Sequence, residues 1–248
     1  MQVAKEILTV LSQATLNGSA LKIDLQLDRN LYTKTNKVIE AAGGVWNRKA
    51  KAHLFDGSAE EAIDNILLTG QVEKTLTAQK QFQYFQTPVE LAKRLCTVAG
   101  VGAGMHVGEP QAGGGRIARV AAEMGARVTC YELQSDLAAN LQAEGIYHAV
   151  HHTDFLSIQP SGELFDAIVA NPPFALQADI KHTLHAMKFL KSGAPIVTVM
   201  SSGVTFRETK LAREFRALVD STGGSIEDLP QGTFAESGTM VNTVIVTL

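Results

Sequence analysis

With 248 residues, 45% of them apolar and 19% charged, the chain is long enough for one α/β domain and a small appendage, with the balance of a soluble globular protein. No run of about 18 apolar residues is present to span a bilayer, and Met1-Gln2-Val3-Ala4-Lys5-Glu6 lacks the basic-then-apolar layout of a signal peptide, so a cytoplasmic protein without membrane attachment is expected. A net charge of -3 excludes a general attraction to phosphate and requires any nucleic-acid affinity to come from a local patch.

The apolar spacing of Ala4, Ile7, Leu8, Val10 and Leu11 predicts a short helix, and Leu21 to Leu27 alternates at period two like a half-buried strand. A helix over Tyr32 to Ala42 follows and stops at Gly43-Gly44. Val45 to Phe55 reads as a strand or hairpin, and Ala59 to Leu68 as a helix with Ser58 as its N-cap. Residues 1–70 thus form a small α+β unit, and the polar stretch from Thr69 to Gln83 reads as a linker, with the second domain spanning 84–248. There the pattern changes to regular alternation of helix and apolar strand. Strands are expected at Met105–Glu109, Arg127–Glu132, Ala149–His152, Ala167–Ala170 and Ile196–Met200. Helices are expected at Pro88–Val98, Arg116–Glu123, Ser135–Glu144, Ala178–Leu190 and Lys210–Val219, and Ser225–Leu229 with Val241–Leu248 closes the chain as a strand pair. This is the signature of a mostly parallel, Rossmann-like sheet with helices on both faces and a final antiparallel strand.

Three features gather at strand ends. Glu109-Pro110-Gln111-Ala112-Gly113-Gly114-Gly115 is a tight glycine-rich turn between a strand and a helix, where backbone can approach a ligand closely. Glu132 closes the next strand, where a carboxylate can accept both hydroxyls of a ribose, and Asp154 follows the third, where an adenine amino group could donate to it. Neither Gly-x-Gly-x-x-Gly nor a Gly-Lys-Ser/Thr phosphate loop is present. Cys96 and Cys130 form no Cys-x-x-Cys pair, and the pairs His151-His152 and His182/His185 lack a matching acid or cysteine set, so no metal is expected.

Glu-Pro-x-Ala-Gly-x-Gly, the acid at the second strand end and Asn171-Pro172-Pro173-Phe174 after the fourth strand resemble the class I amino-methyltransferases that use S-adenosyl-methionine and release S-adenosyl-homocysteine. The resemblance covers roughly residues 80–248. Within that superfamily, Tyr84-Phe85-Gln86-Thr87-Pro88-Val89-Glu90-Leu91-Ala92 resembles the segment before the first strand in N6-adenine DNA methyltransferases, where an aromatic and a Thr-Pro turn hold the methionine half of the cofactor. The same residues also read as a helix start with Thr87 as N-cap and Pro88 at the first helical position. Gln111 and Gly114 depart from the usual pattern, which has Ser or Cys and a small polar residue there.

The resemblance implies cofactor contacts from Phe85, Gln86 and Thr87, and from Glu109, Pro110, Gln111, Ala112, Gly113 and Gly115. It implies further contacts from Glu132, Leu133, Asp154, Phe155 and Asn171. It assigns catalysis to Asn171, Pro172, Pro173 and Phe174. A conjugated exocyclic amine is a poor nucleophile. An Asn171 side-chain oxygen and a Pro172 carbonyl that accept its N–H bonds would steer the lone pair towards the methyl group, while Phe174 would stack on an extruded base.

The expected acceptor is adenine N6 in double-stranded DNA. Guanine N2 in ribosomal RNA is the alternative, since those enzymes can also carry Asn-Pro-Pro-Phe. A protein glutamine amide is disfavoured because that family resembles Asn-Pro-Pro-Tyr, and a binding-only relic is disfavoured by the intact Glu132, Asp154 and Asn171. DNA contacts are expected from Arg48, Lys49 and Lys51, in a stretch where Arg29, Lys34 and Lys37 add to them against the single acid Glu40. Trp46 and Asn47 beside them offer a stacking ring and a base-reading amide, Trp46 reading equally well as a core residue. Arg207, in the loop from Ser202 to Lys210, is expected to add a second contact near the base pocket.

Overall fold

The computed structural model describes residues 1–72 and 85–248. Most of the expected linker, and Tyr84 of the Thr-Pro segment, lie outside the described residues.

The amino-terminal unit begins with α1 (Lys5–Ser12) and a hairpin of β1 (Thr15–Asn17) and β2 (Ala20–Lys22). The expected strand from Leu21 to Leu27 is therefore shorter and displaced. Gly18, with a φ of 57°, makes the turn after Asn17, and Leu21 pairs back onto Leu16. Only Leu21 of the alternating set is fully buried, while Leu25 faces water, so nothing holds the later residues in a sheet. Next come α2 (Arg29–Ala41), capped by the Asp28 carboxylate, then β3 (Val45–Asn47), β4 (Ala52–Leu54) and α3 (Ala59–Thr69), capped by Ser58 Oγ. The four strands form an antiparallel sheet in the order β1-β2-β4-β3, and the helices bury Ile7, Leu11, Ile39 and Ile63 with Leu21.

The large sheet has seven strands. They are β5 (His106–Glu109), β6 (Arg127–Glu132), β7 (Ala149–His152), β8 (Ala167–Ala170), β9 (Ile196–Ser201), β10 (Ser225–Asp228) and β11 (Thr243–Thr247), in the order β10-β11-β9-β8-β5-β6-β7. The pairs from β9 through β7 are parallel, and β11 runs antiparallel to both of its neighbours. Between the strands lie α4 (Val89–Val98), α5 (Arg116–Glu123), α6 (Ser135–Glu144), α7 (Ala178–Ala186) and α8 (Lys210–Ser221). One face of the sheet packs α4, α5 and α6, with Val197 and Val199 of β9 pointing that way. Met200 points to the other face, where α7 and α8 lie. That alternation is the period-two reading of a strand buried on both sides. The helix expected to reach Leu190 ends at Ala186, and a 3₁₀ turn from Met187 to Phe189 completes it.

The two units share a polar and apolar seam. Asn242, just before β11, donates its backbone N–H to the Leu68 carbonyl, and Glu208 donates its backbone N–H to Ser12 Oγ. Phe206 enters the amino-terminal core, and this decides the fate of its neighbour. Arg207, expected to face nucleic acid, is only 4% exposed, and its Nη1 lies 2.7 Å from Asp64 Oδ1 on α3. The chain turns back under the amino-terminal unit after β9, so Arg207 is carried inward with Phe206 and is no phosphate contact.

Candidate active site

The strand order places the carboxyl ends of β8, β5, β6 and β7 side by side, and they open on one cavity of about 310 Å³. In an open parallel sheet this edge is where ligands bind, because loops diverge there and backbone groups are left to serve them. Glu109 closes β5, Glu132 closes β6, Asp154 follows β7 and Asn171 follows β8, and all four line the cavity.

Glu132 is oriented by backbone. Its Oε2 accepts the Gly113 N–H at 2.7 Å and its Oε1 accepts the Gln134 N–H at 2.7 Å, so the glycine turn and the next loop fix the carboxylate while each oxygen can still accept a further donor. Glu109 lies deeper. Burial pushes its carboxyl well above the ordinary range, the Ala118 backbone amide pulls it back, and Glu132 adds repulsion. Its Oε2 has no hydrogen-bond partner among the described residues. Asp154 Oδ1 caps the following 3₁₀ turn by accepting the Leu156 N–H at 2.9 Å.

Asn171 is locked from one side. Its Nδ2 donates to the Phe85 carbonyl at 3.0 Å and to Thr87 Oγ1 at 3.1 Å. A carbonyl can only accept, so the amide nitrogen must face it, and the side-chain oxygen is turned the other way. That Oδ1 is buried without a hydrogen-bond partner among the described residues. Thr87 therefore serves Asn171 and does not cap α4; Pro88 occupies the cap position.

Most of the residues singled out in the sequence meet here. Phe85, Gln86, Pro110, Gln111, Ala112, Gly113, Leu133, Phe155 and Pro173 also line the cavity. Gly115 does not. It adopts a φ of 73° at the head of α5, where a Cβ would come within 2.5 Å of Leu141, so its part is to let that helix start against α6. Pro172 is buried behind the wall. Phe174 is 1% exposed and stacks on Phe85 at 6.4 Å between ring centroids, so its ring belongs to the core beneath the cavity and offers no face for a base to stack on.

The basic residues Arg48, Lys49 and Lys51 share the turn between β3 and β4, exposed and paired with no acid among the described residues. Trp46 next to them is 48% exposed and leans edge-on against His53, so it is not a core tryptophan. Asn47 uses its side-chain oxygen on its own turn, accepting the N–H groups of Lys49 and Ala50 at 3.0 and 2.9 Å.

His182 on α7 is a cavity residue that sequence reasoning missed, as are Arg116, Gln134, Thr153 and Leu156. It was weighed only as half of a metal pair, whereas it lines the cavity with its Nδ1 2.9 Å from Gln111 Nε2. The available signal was its place one helical turn into the helix that follows the tetrapeptide. Gln111, the departure noted in the glycine loop, thereby gains a partner at one end and leaves its Oε1 buried without one among the described residues. No cluster of His, Cys, Asp or Glu suited to a metal occurs among the described residues.

Solved structures similar to this chain include two from restriction-modification systems. The methyltransferase subunit of a type I restriction-modification system from Streptococcus thermophilus is 20% identical, with a TM-score of 0.60 over 75% of this chain and 48% of that one. A modification subunit assigned to a type I restriction enzyme from Vibrio vulnificus is 15% identical, with a TM-score of 0.56 over 99% of this chain and 65% of that one. The chain has the class I methyltransferase fold. It spans about half the length of the first methyltransferase subunit and less than two thirds of the second. No family model and no curated protein matches the sequence.

Within this methyltransferase fold, His182 gives a pH-dependent signature. Burial lowers its imidazole to about 4, against the opposing influence of Asp154. The unfolded chain, at the ordinary value of 6.5, takes up this proton first, so the contribution to stability is complete above that value and is lost as the pH falls towards 4. NMR titration should find the His182 ring neutral down to about pH 5. A midpoint at the ordinary value would show that the ring is in contact with water and not held by Gln111.

Proposed function

We propose that the cavity binds S-adenosyl-methionine and that the chain transfers its methyl group to the exocyclic amino nitrogen of a nucleobase, adenine N6 in double-stranded DNA being the acceptor favoured by the Thr-Pro and Asn-Pro-Pro-Phe segments. The carrying observation is the Asn171 side chain, whose oxygen is a buried acceptor without a partner among the described residues at the cavity wall, while its nitrogen is held by Phe85 and Thr87.

The residues present fit such a cofactor. Glu132, already aimed by two backbone amides, retains capacity for the two ribose hydroxyls. Leu133, 60% exposed where the ribose acid ends its strand, supplies an apolar wall for an adenine ring, and Asp154 an acceptor for its amino group. The unpaired oxygens of Glu109 and Gln111 are acceptors for the polar groups of the methionine half. When bound, the sulfonium supplies an electrophilic methyl group, and the protein's task is to orient the amine. Asn171 Oδ1 accepts one N–H of the acceptor and so points the nitrogen lone pair, with no strong base required. The stacking role first assigned to Phe174 is withdrawn with its burial. The turn bearing Arg48, Lys49 and Lys51, with the half-exposed Trp46, is the proposed nucleic-acid contact.

The test is incubation with labelled cofactor and duplex DNA, ribosomal RNA or protein, followed by nucleoside and peptide analysis. N6-methyladenine is the expected product; N2-methylguanine from RNA would move the reading to the alternative acceptor. Glu132→Ala should weaken S-adenosyl-methionine binding roughly 10-fold or more, on about 1–3 kcal/mol for unpairing buried partners, and an unchanged calorimetric affinity would remove the ribose assignment. Asn171→Ala should lower turnover by ~10²–10³, with a smaller loss of cofactor affinity because Phe85 and Thr87 lose their tie. Turnover near that of the wild type would refute the catalytic role. Changing Arg48, Lys49 and Lys51 together to Ala should weaken DNA binding and flatten its salt dependence by about 0.9 log-log slope unit per lost phosphate contact, with cofactor affinity constant. Survival of both affinity and slope would place the DNA contact elsewhere.

A further inference from the structure

The segment that leaves the Asn171–Phe174 loop is strained, and it is held from outside its own sheet. Leu176 and Gln177 adopt left-handed backbone, with φ of 53° and 59°, although neither is glycine. Such conformations persist only where their surroundings impose them. Leu176 donates its backbone N–H to Asp64 Oδ2 at 2.8 Å, and Asp64 belongs to α3 of the amino-terminal unit. The Gln177 side-chain oxygen accepts the Thr209 hydroxyl at 2.5 Å. Beyond the strained pair, Asp179 ties α7 to the end of β9 by accepting the Ser201 N–H and hydroxyl at 2.9 and 2.8 Å.

Asp64 is itself fixed by a buried cation. Arg207 Nη1 approaches its Oδ1 to 2.7 Å, a close charge contact without hydrogen-bond alignment, which leaves the second oxygen for Leu176. The route of the guanidinium depends on Gly203, where a Cβ would stand 2.6 Å from Arg207 Nε. Arg216 of α8 then holds the Val204 and Arg207 carbonyls at 2.9 and 2.7 Å, fixing the turn that carries Arg207. A small crevice lined by Asp64, Leu176, Gln177 and Arg207 marks the junction.

We propose that Asp64 is a positioning residue for the Asn171-Pro172-Pro173-Phe174 loop: its carboxylate, set by Arg207, fixes the loop's strained exit, so the amino-terminal unit sets where the loop carries Asn171, whose side-chain amide Phe85 and Thr87 then orient. The proposal rests on the proposed methyl transfer for its rate readout, while its structural readout is independent of activity.

Two double variants separate the hydrogen bond from the ion pair. Asp64→Asn with Arg207→Met removes both charges and keeps an oxygen for the Leu176 N–H. Asp64→Leu with Arg207→Met removes both charges and the acceptor, and neither leaves a buried charge unpaired. The first should retain kcat and slow amide exchange across residues 171–177. The second should lose roughly 10- to 100-fold in kcat, the scale of a small misplacement of reacting groups, with faster exchange there and an unchanged S-adenosyl-methionine Kd. A merely structural seam would lower the melting temperature of both equally and leave kcat the same; equal kcat and equal exchange in the two variants overturn the proposal. If either does not fold, Gly203→Ala displaces the guanidinium without altering a charge. It should speed exchange across 171–177 and lower kcat, and no change in either overturns the proposal. A wild-type protein that methylates no amino acceptor defeats the proposed function, and the exchange comparison still decides the positioning role.

Discussion

A single side-chain amide organises the cavity. Because the Phe85 carbonyl can only accept, the Asn171 nitrogen is committed to it, and the oxygen is committed to the opposite direction whether or not anything is there to meet it. The bond joins positions 86 residues apart in sequence, so the approach to α4 and the end of β8 are tied across the top of the sheet. The Phe174 and Phe85 rings stack beside that tie.

Buried polar atoms are normally paired, and the places where they are not are informative. Among the described residues six of the nine such atoms gather in two places. Glu109 Oε2, Gln111 Oε1 and Asn171 Oδ1 belong to residues lining the cavity, and Asp64 Oδ1 with Arg207 Nε and Nη2 belongs to the seam. The cavity set consists of oxygens only, two of them amide acceptors and one on a carboxyl whose burial favours the protonated form, as suits a polar ligand. The seam set holds both signs, as suits an internal contact.

The large sheet was legible in the sequence because its central strands β8 and β9 are buried on both faces and read as largely apolar runs, and because the glycine turn, the two acids and the double proline fall at successive strand ends. The amino-terminal unit was legible in outline only. Its strands are three residues long, too short for alternation to register, and the turn at Gly18 redirected a pattern that looked continuous from Leu21 to Leu27. Arg207 and Phe174 were misplaced for one reason: a cation in a loop and an aromatic at a strand end beside Asn171 look exposed in sequence, and only packing against distant residues shows that they are not. Trp46 shows the reverse, since no neighbour arrives to cover it. His182 was overlooked because its partner Gln111 lies 71 residues away.

The sheet order also bears on the chain while it is being made. β11, the last strand in sequence, lies between β10 and β9 and not at an edge, and the residue before it bonds back to Leu68. Asp64 leaves the ribosome long before Arg207 exists, so during synthesis it is an ordinary solvated carboxylate on the flank of a small finished sheet. A nascent chain therefore carries the Asn-Pro-Pro-Phe sequence, and the Phe85 and Thr87 that hold Asn171, before Arg207 exists to set Asp64 against the exit of that loop.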